Sequence, residues 1–246
     1  MILVTGRGTS GSWQVRGVQL GQAMGAKVKP RATLKDCQAA DVIVVVKRMT
    51  PELLDAIQRS GKPWFWDVVD FYPQPKCSLW PKEVAVRWVR QQIKKARPDG
   101  VIWANERMMS DCGAKWRGTV IHHHHRPGIA INPIRPEVKT VGYEGSHRYL
   151  AEWEPVLTDV CRKRQWTLNI NPARLADVDV VVAFRGQAFS GYAQRHWKSN
   201  VKLSNCHGSG TPFVGQSESG YLETEVGGER WCDHPANIGQ VLDSLT

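Results

Sequence analysis

Lys198–Glu223 reads KSNVKLSNCHGSGTPFVGQSESGYLE. From Asn200 to Cys206 the pattern is helical, with Val201 and Leu203 apolar. Lys198 and Lys202 stand four apart, so their ammonium groups share one helix face. Gly208 and Gly210 end the helix, because glycine accepts the left-handed conformation of a C-terminal cap. Thr211–Gly215 then fits a short buried strand. Ser217 or Ser219 can cap the helix that follows. Helix, turn, strand and helix in this order are one step of an α/β sheet. A helix start offers free N–H groups and partial positive charge, which suits phosphate. Two lysines, a glycine turn and a helix start beside Glu218 therefore read as a diphosphate cradle next to a carboxylate.

The same alternation extends outward in both directions. Residues 138–146 (VKTVGYEGS) read as a strand and a glycine turn, followed by a helix over Tyr149–Arg164. Trp166–Ile170 and Val178–Ala183 are strands, with Arg185 just beyond the second, and Val241–Leu245 lies in a terminal helix. In the first half, residues 2–5 start a strand and Gly6–Ser12 (GRGTSGS) forms a glycine-rich loop. A helix follows near Val15–Met24. Gly6, Gly8 and Gly11 keep the spacing of a dinucleotide fingerprint, but no acid tips the next strand. Gly8, Thr9, Ser10 and Gly11 are read as approaching an acceptor or donor phosphate. Val42–Val46 is a β-branched run, typical of a buried parallel strand. Thr50 and Pro51 open a helix. Pro63–Asp70 is the next strand. It places Asp67 and Asp70 at a carboxyl end, where open α/β sheets bind ligands, although Asp70 can equally cap the loop 71–75. Val101–Trp103, a helix at Glu106–Cys112 and a last strand at Val120–Ile121 complete this half.

The Lys198–Glu223 run resembles the donor-binding segment of nucleotide-sugar glycosyltransferases with the two-domain GT-B fold. The 138–146 strand and turn resemble the start of the donor domain in the same enzymes. Glu218 stands five positions before Glu223 and seven before Glu225. The resemblance implies a compact α/β protein with two facing Rossmann-like domains. The acceptor domain spans 1–121, the crossover 122–137 and the donor domain 138–246. It implies a nucleotide-sugar co-substrate, a UDP-sugar being favoured. The implied donor residues are Gly145, Ser146, Arg185, Lys198, Lys202, Ser209, Gly210, Thr211, Glu218, Ser219, Gly220, Tyr221 and Glu223. Asn171 and Pro172 fall in the implied nucleobase region. A general base is expected among Asp67, Asp70 and the linker histidines His122 and His123.

Charge points to the acceptor. Residues 1–121 hold 20 Lys and Arg against 10 Asp and Glu, while 122–246 hold 13 against 13. The whole net charge of +10 thus sits in one half, which suggests a polyanionic partner. In the helix Lys82–Arg97, Val86, Val89 and Ile93, widened by Trp88, make the apolar face. Arg87, Arg90, Lys94 and Arg97 recur at helical spacing and form a candidate stripe for a phosphate backbone. DNA carrying hydroxymethylated pyrimidines, as in bacteriophage genomes, is the favoured acceptor, with Trp64, Trp66 or Phe71 supporting an extruded base. Two other readings stand beside it. One is a glycosyltransferase acting on lipid, polysaccharide or protein, for which no strongly amphipathic helix speaks. The other is a non-catalytic nucleic-acid-binding α/β protein, which leaves the Lys198–Glu223 segment unused.

Six cysteines without a C-x-x-C pair (37, 77, 112, 161, 206 and 232) suit reduced, packed thiols and a cytoplasmic setting. Met1–Gly6 begins as a strand and does not read as a leader. No apolar run is long enough to insert in a membrane. Successive residues of the His122–His125 run point to opposite sides, and no nearby motif completes a metal site. No obligatory metal is therefore expected. The eleven tryptophans have no evident purpose in the sequence alone.

Overall fold

Each β-branched run becomes a parallel strand in the computed structural model, which describes residues 1–71, 79–133 and 135–245. Cys77 and the loop positions 72–75 lie outside the described residues. The chain divides into two units. The first contains, among the described residues, 1–71, 80–123 and 196–199; the second contains 79, 124–133, 135–195 and 200–245.

The first unit runs β1 (Ile2–Gly6), a π-helical segment Trp13–Gln19 continued by α1 (Leu20–Ala23), β2 (Lys27–Val28) and α2 (Leu34–Gln38). It continues with β3 (Val42–Val46), α3 (Pro51–Ser60), β4 (Trp64–Val69), α4 (Lys82–Ala96), β5 (Gly100–Trp103), α5 (Glu106–Cys112) and β6 (Gly118–Val120). The sheet order is β2-β1-β3-β4-β5-β6, parallel throughout. The second unit runs β7 (Thr140–Tyr143), α6 (His147–Leu150), α7 (Trp153–Lys163), β8 (Thr167–Ile170), β9 (Val180–Ala183), α8 (Tyr192–His196, whose last residue belongs to the first unit) and α9 (Val201–Ser209). It ends with β10 (Phe213–Gly215), α10 (Ser219–Leu222), β11 (Arg230–Trp231) and α11 (Ile238–Asp243). Its sheet order is β11-β10-β9-β7-β8, again parallel. Two Rossmann-like α/β units are thus what the sequence led us to expect.

Local chemistry explains the boundaries. Thr50 Oγ1 accepts from Leu53 N at 3.3 Å, Pro51 occupies the first helical position, and Gly61 closes α3 in the left-handed region. A Thr33–Asp36 capping box starts α2, an element too short to show a period in sequence. The helix expected over Tyr149–Arg164 is split in two, because Ala151 takes φ 46° between α6 and α7. In α4 the buried face is Ala85, Val89, Ile93 and Ala96, and Val86 stays half-buried.

The tryptophans build cores. Trp13, Trp64, Trp66, Trp103, Trp153 and Trp197 are all buried, and Trp153 stacks on Phe184 with centroids 4.0 Å apart. Such rings bury more apolar area than any other side chain. Cys37, Cys112, Cys161, Cys206 and Cys232 are buried free thiols. Burial pushes the Cys112 thiol up to about 12, which leaves it inert at neutral pH.

Residues 196–199 belong to the first unit although the sequence around them builds the second. Trp197 is fully buried and its indole N–H donates to Asp111 Oδ2 at 3.0 Å. Asn105 Nδ2 donates to the carbonyls of His196 and Lys198 at 3.0 and 2.9 Å. Among the described residues, no helix is long and apolar enough to cross a membrane.

Candidate active site

In the second sheet β7 lies between β8 and β9. Connections leave β7 and β9 in opposite directions, so their carboxyl ends form a switch point, where open α/β sheets bind ligands. Four expected donor residues reach this edge. Gly145 follows β7, Arg185 follows β9, Glu218 follows β10, and Lys202 comes from α9.

Tyr143, the last residue of β7, is the hub. It is buried, and its hydroxyl donates to Ser146 O at 3.5 Å. The Lys202 ammonium sits 4.5 Å from its ring centroid. Gly145 has φ 152°, and a Cβ there would lie 2.8 Å from the Tyr143 hydroxyl. Only glycine therefore lets the turn pass so close. Asn171 clamps this turn, accepting from Gly145 N at 2.8 Å and donating to Gly145 O at 2.9 Å. The side chain expected near a nucleobase thus holds the glycine turn. Burial pushes the Tyr143 phenol up to about 12, with the charges of Arg185 and Glu218 acting in opposite senses.

Arg185 Nε pairs with Glu218 Oε1 at 3.3 Å, and both side chains are largely buried. Its backbone N–H donates to Gln216 Oε1 at 2.7 Å, and its guanidinium lies 5.7 Å from the Tyr149 ring centroid. Glu218 Oε2 is buried and has no hydrogen-bond partner among the described residues. A buried carboxylate oxygen without a donor carries a desolvation cost of about 1–3 kcal/mol that a ligand hydroxyl can offset.

Other expected donor residues lie elsewhere. Ser209, Gly210 and Thr211 precede β10 and therefore stand at the amino edge of the sheet. Ser209 Oγ and Thr211 Oγ1 are 2.7 Å apart, and Asn132 Nδ2 donates to Thr211 Oγ1 at 2.8 Å. This network ties the segment around Asn132 to the end of α9. Lys198 pairs with Asp70 at 2.8 Å inside the first unit. Ser219, Gly220 and Tyr221 lie with Leu222 in the four-residue α10, and Glu223 ends it. Tyr221 is buried edge-on against Phe213. Burial raises its phenol well above the usual range, and the Glu218 charge adds to that. Ser146 is exposed ahead of α6, without a side-chain cap bond.

The two acids of β4 are not free bases. Asp67 Oδ2 accepts from Arg16 Nε at 2.7 Å in a fully buried pair, and Arg16 also donates to the Ile121 and His122 carbonyls. Asp70 is held by Lys47 at 2.5 Å and Lys198 at 2.8 Å. Burial alone would raise its carboxyl, but the two ammonium charges outweigh it and hold the group well below the usual carboxylate range. The chain passes from one unit to the other between His123 and His124. His123 is buried, His122 is half-buried, and the His125 ring packs on Gly208 of α9.

The loop of Gly8, Thr9 and Ser10 lines a recess of about 110 Å³ with Lys47 and Arg48, and Gly8 takes φ 86° against Pro30. Gly11 lies outside that lining. Ser10 Oγ accepts from Trp13 N, which starts the helical segment. The stripe on α4 divides. Arg90 donates to the Asp111 and Cys112 carbonyls at the end of α5, and Arg97 caps α4 in the left-handed region. Arg87 and Lys94 remain exposed and line a groove of about 710 Å³ with Lys115 and Trp116. Trp64 stands at the amino end of β4, away from the carboxyl-edge loops. Among the described residues, no three His, Cys, Asp or Glu side chains gather as metal ligands.

No protein-family model matches the chain, and no curated protein matches it in sequence. Among solved structures it is similar to the glycotransferase of kitacinnamycin, with a TM-score of 0.48 at 13% identity, covering 99% of this chain and 89% of that one. It is also similar to the lipopolysaccharide outer core galactosyltransferase WaaB in its apo form, with a TM-score of 0.47 at 11% identity and the same coverage.

Proposed function

We propose that this protein is a GT-B-type glycosyltransferase that moves a sugar from a nucleotide-sugar to a hydroxyl. The observation that carries this reading is Glu218, with one buried oxygen on Arg185 and the other lacking a described partner. A ribose hydroxyl of a donor can supply the missing hydrogen bond. Lys202 and Arg185 then stand where a diphosphate leaves, and their charge substitutes for a metal. In transfer, the acceptor oxygen bonds to the anomeric carbon, the bond to the donor phosphate breaks, and the diphosphate departs. Asp70 is held by two ammonium groups, and Asp67 is fully buried on Arg16, where burial raises its carboxyl and leaves Oδ1 without a described partner. His122 or His123 is therefore the base we assign to the acceptor proton.

A UDP-sugar is the first donor to test, and DNA with 5-hydroxymethylpyrimidines, as in bacteriophage genomes, is the first acceptor. The excess positive charge of residues 1–121 supports that acceptor class. The test is mass spectrometry of hydroxymethylated DNA after incubation with a panel of nucleotide-sugars. The expected result is a gain of one sugar per modified base with one donor. No gain on DNA, with sugar transferred instead to a lipid or glycan, would replace the acceptor. No thermal shift with any nucleotide-sugar would remove the donor site.

A further inference from the structure

Three arginines from consecutive strand ends converge in the first unit. Arg7 follows β1, Arg31 follows β2 and Arg48 follows β3. Backbone bonds lace their loops together: Arg7 N donates to Arg48 O at 2.8 Å, and Arg31 N donates to Gly6 O at 2.9 Å. The main chain therefore sets where the three guanidinium groups start. They line one cavity of about 820 Å³ together with Lys95 of α4, a volume in the usual range for small-molecule sites. Asp55, a carboxylate on its wall, is paired with Arg59 at 3.2 Å. Arg7, Arg31, Arg48 and Lys95 make no ion pair with a described carboxylate. The half-buried Phe71 lines the cavity and packs on the buried Trp66, with centroids 4.9 Å apart and the Trp66 indole fixed on Lys47 O at 3.1 Å. The cavity stands beside the β1/β3 switch point, the sheet position that favours ligands.

Unneutralised guanidinium forks match phosphate oxygens, and an aromatic face takes a base by stacking. We propose that this cavity binds a nucleoside phosphate, with the phosphoryl group on Arg7, Arg31 and Arg48 and the base against Phe71. Naming this ligand the acceptor rests on the glycosyltransferase reading; the binding itself does not. The nucleoside phosphate is either a free nucleotide or part of a single strand.

The test measures binding of dTMP, a short labelled single-stranded oligodeoxynucleotide and inorganic pyrophosphate to the whole chain. It compares the parent with an Arg7→Gln, Arg31→Gln, Arg48→Gln triple variant and with Phe71→Ala. These arginines are exposed, so the thermal midpoint should hold; a lowered midpoint moves the measurement to Arg48→Gln alone. The triple variant should lose at least tenfold in affinity for the oligonucleotide or dTMP. For the oligonucleotide, its salt slope should flatten by about 0.7 for each phosphate contact removed. Phe71→Ala should weaken both nucleotide ligands and leave pyrophosphate unchanged. An oligonucleotide far tighter than dTMP identifies a strand as the source, and comparable affinities identify a free nucleotide. Parent-like binding by the triple variant, or pyrophosphate binding as tightly as dTMP, overturns the proposal. Loss of transfer with this binding intact would count against the donor reading alone.

Discussion

The two units handle charge at their switch points in opposite ways. In the second unit the cation is paired: Arg185 is buried on Glu218, and Lys202 lies over the Tyr143 ring. In the first unit Arg7, Arg31 and Arg48 stand exposed around a cavity. The acids of β4 are turned inward instead, Asp67 to Arg16 and Asp70 to Lys47 and Lys198. A preformed pair holds its geometry without a ligand, which suits a small donor bound in one pose. Free surface cations attract any polyanion and are screened by salt. Similar sheets thus carry a buried, paired cation in one unit and exposed cations in the other.

The largest effect expected is on the inward-turned acids. Arg16→Leu leaves the Asp67 carboxylate buried without its partner and should cost about 3–5 kcal/mol of stability. Urea unfolding followed by tryptophan fluorescence measures it. A loss below about 1 kcal/mol would mean that water reaches Asp67, and the contrast between locked acids and free arginines would weaken.

Next is the donor side. Lys202→Ala should reduce transfer by about a hundredfold, because it removes charge from the leaving diphosphate, while the thermal midpoint stays within a few degrees. Steady-state turnover with saturating acceptor checks it. Unchanged turnover together with unchanged donor affinity would move the diphosphate away from β7 and β9.

A subtler effect separates a lock from a base at Asp70. Its folded carboxyl is depressed, so its contribution is present above the unfolded value of about 3.9 and is lost as pH falls toward the folded value. The stability difference between the parent and Asp70→Asn should therefore be flat at neutral pH and shrink below about pH 4. The pH profile of transfer should keep its shape in this variant. A lost acidic limb in that profile would make Asp70 the base after all.

The smallest effect expected is none. On the proposed reading, in which Arg185 and Lys202 supply the charge, transfer should survive EDTA. Loss on chelation with recovery on adding a divalent cation would show that the side-chain cations of the second unit do not suffice.

The placement of several candidate residues was legible one residue at a time. Arg185 and Gly145 follow apolar runs, and a residue just past a parallel strand stands at the carboxyl edge. The same logic, applied to Ser209, Gly210 and Thr211, places them at the amino edge, because they precede β10. The likeness to a family segment obscured that direction. Arg7 and Arg48 were equally readable as strand-end residues. Arg31 was not, because β2 has two residues and no sequence period.

The sequence by itself determined the α/β class, most of the strands and the charge imbalance between the halves. Those follow from local patterns: β-branched runs, caps and composition, each set within a few residues. Only the tertiary structure decided the pairings of ionisable groups. Asp70 and Lys198 are 128 positions apart, and Arg16 and Asp67 are 51 apart. No local pattern encodes such a meeting, since it depends on how whole strands order themselves in a sheet. Residues 196–199 show it most plainly. Their neighbours build the second unit, yet burying the Trp197 ring and satisfying Asp111 places them in the first.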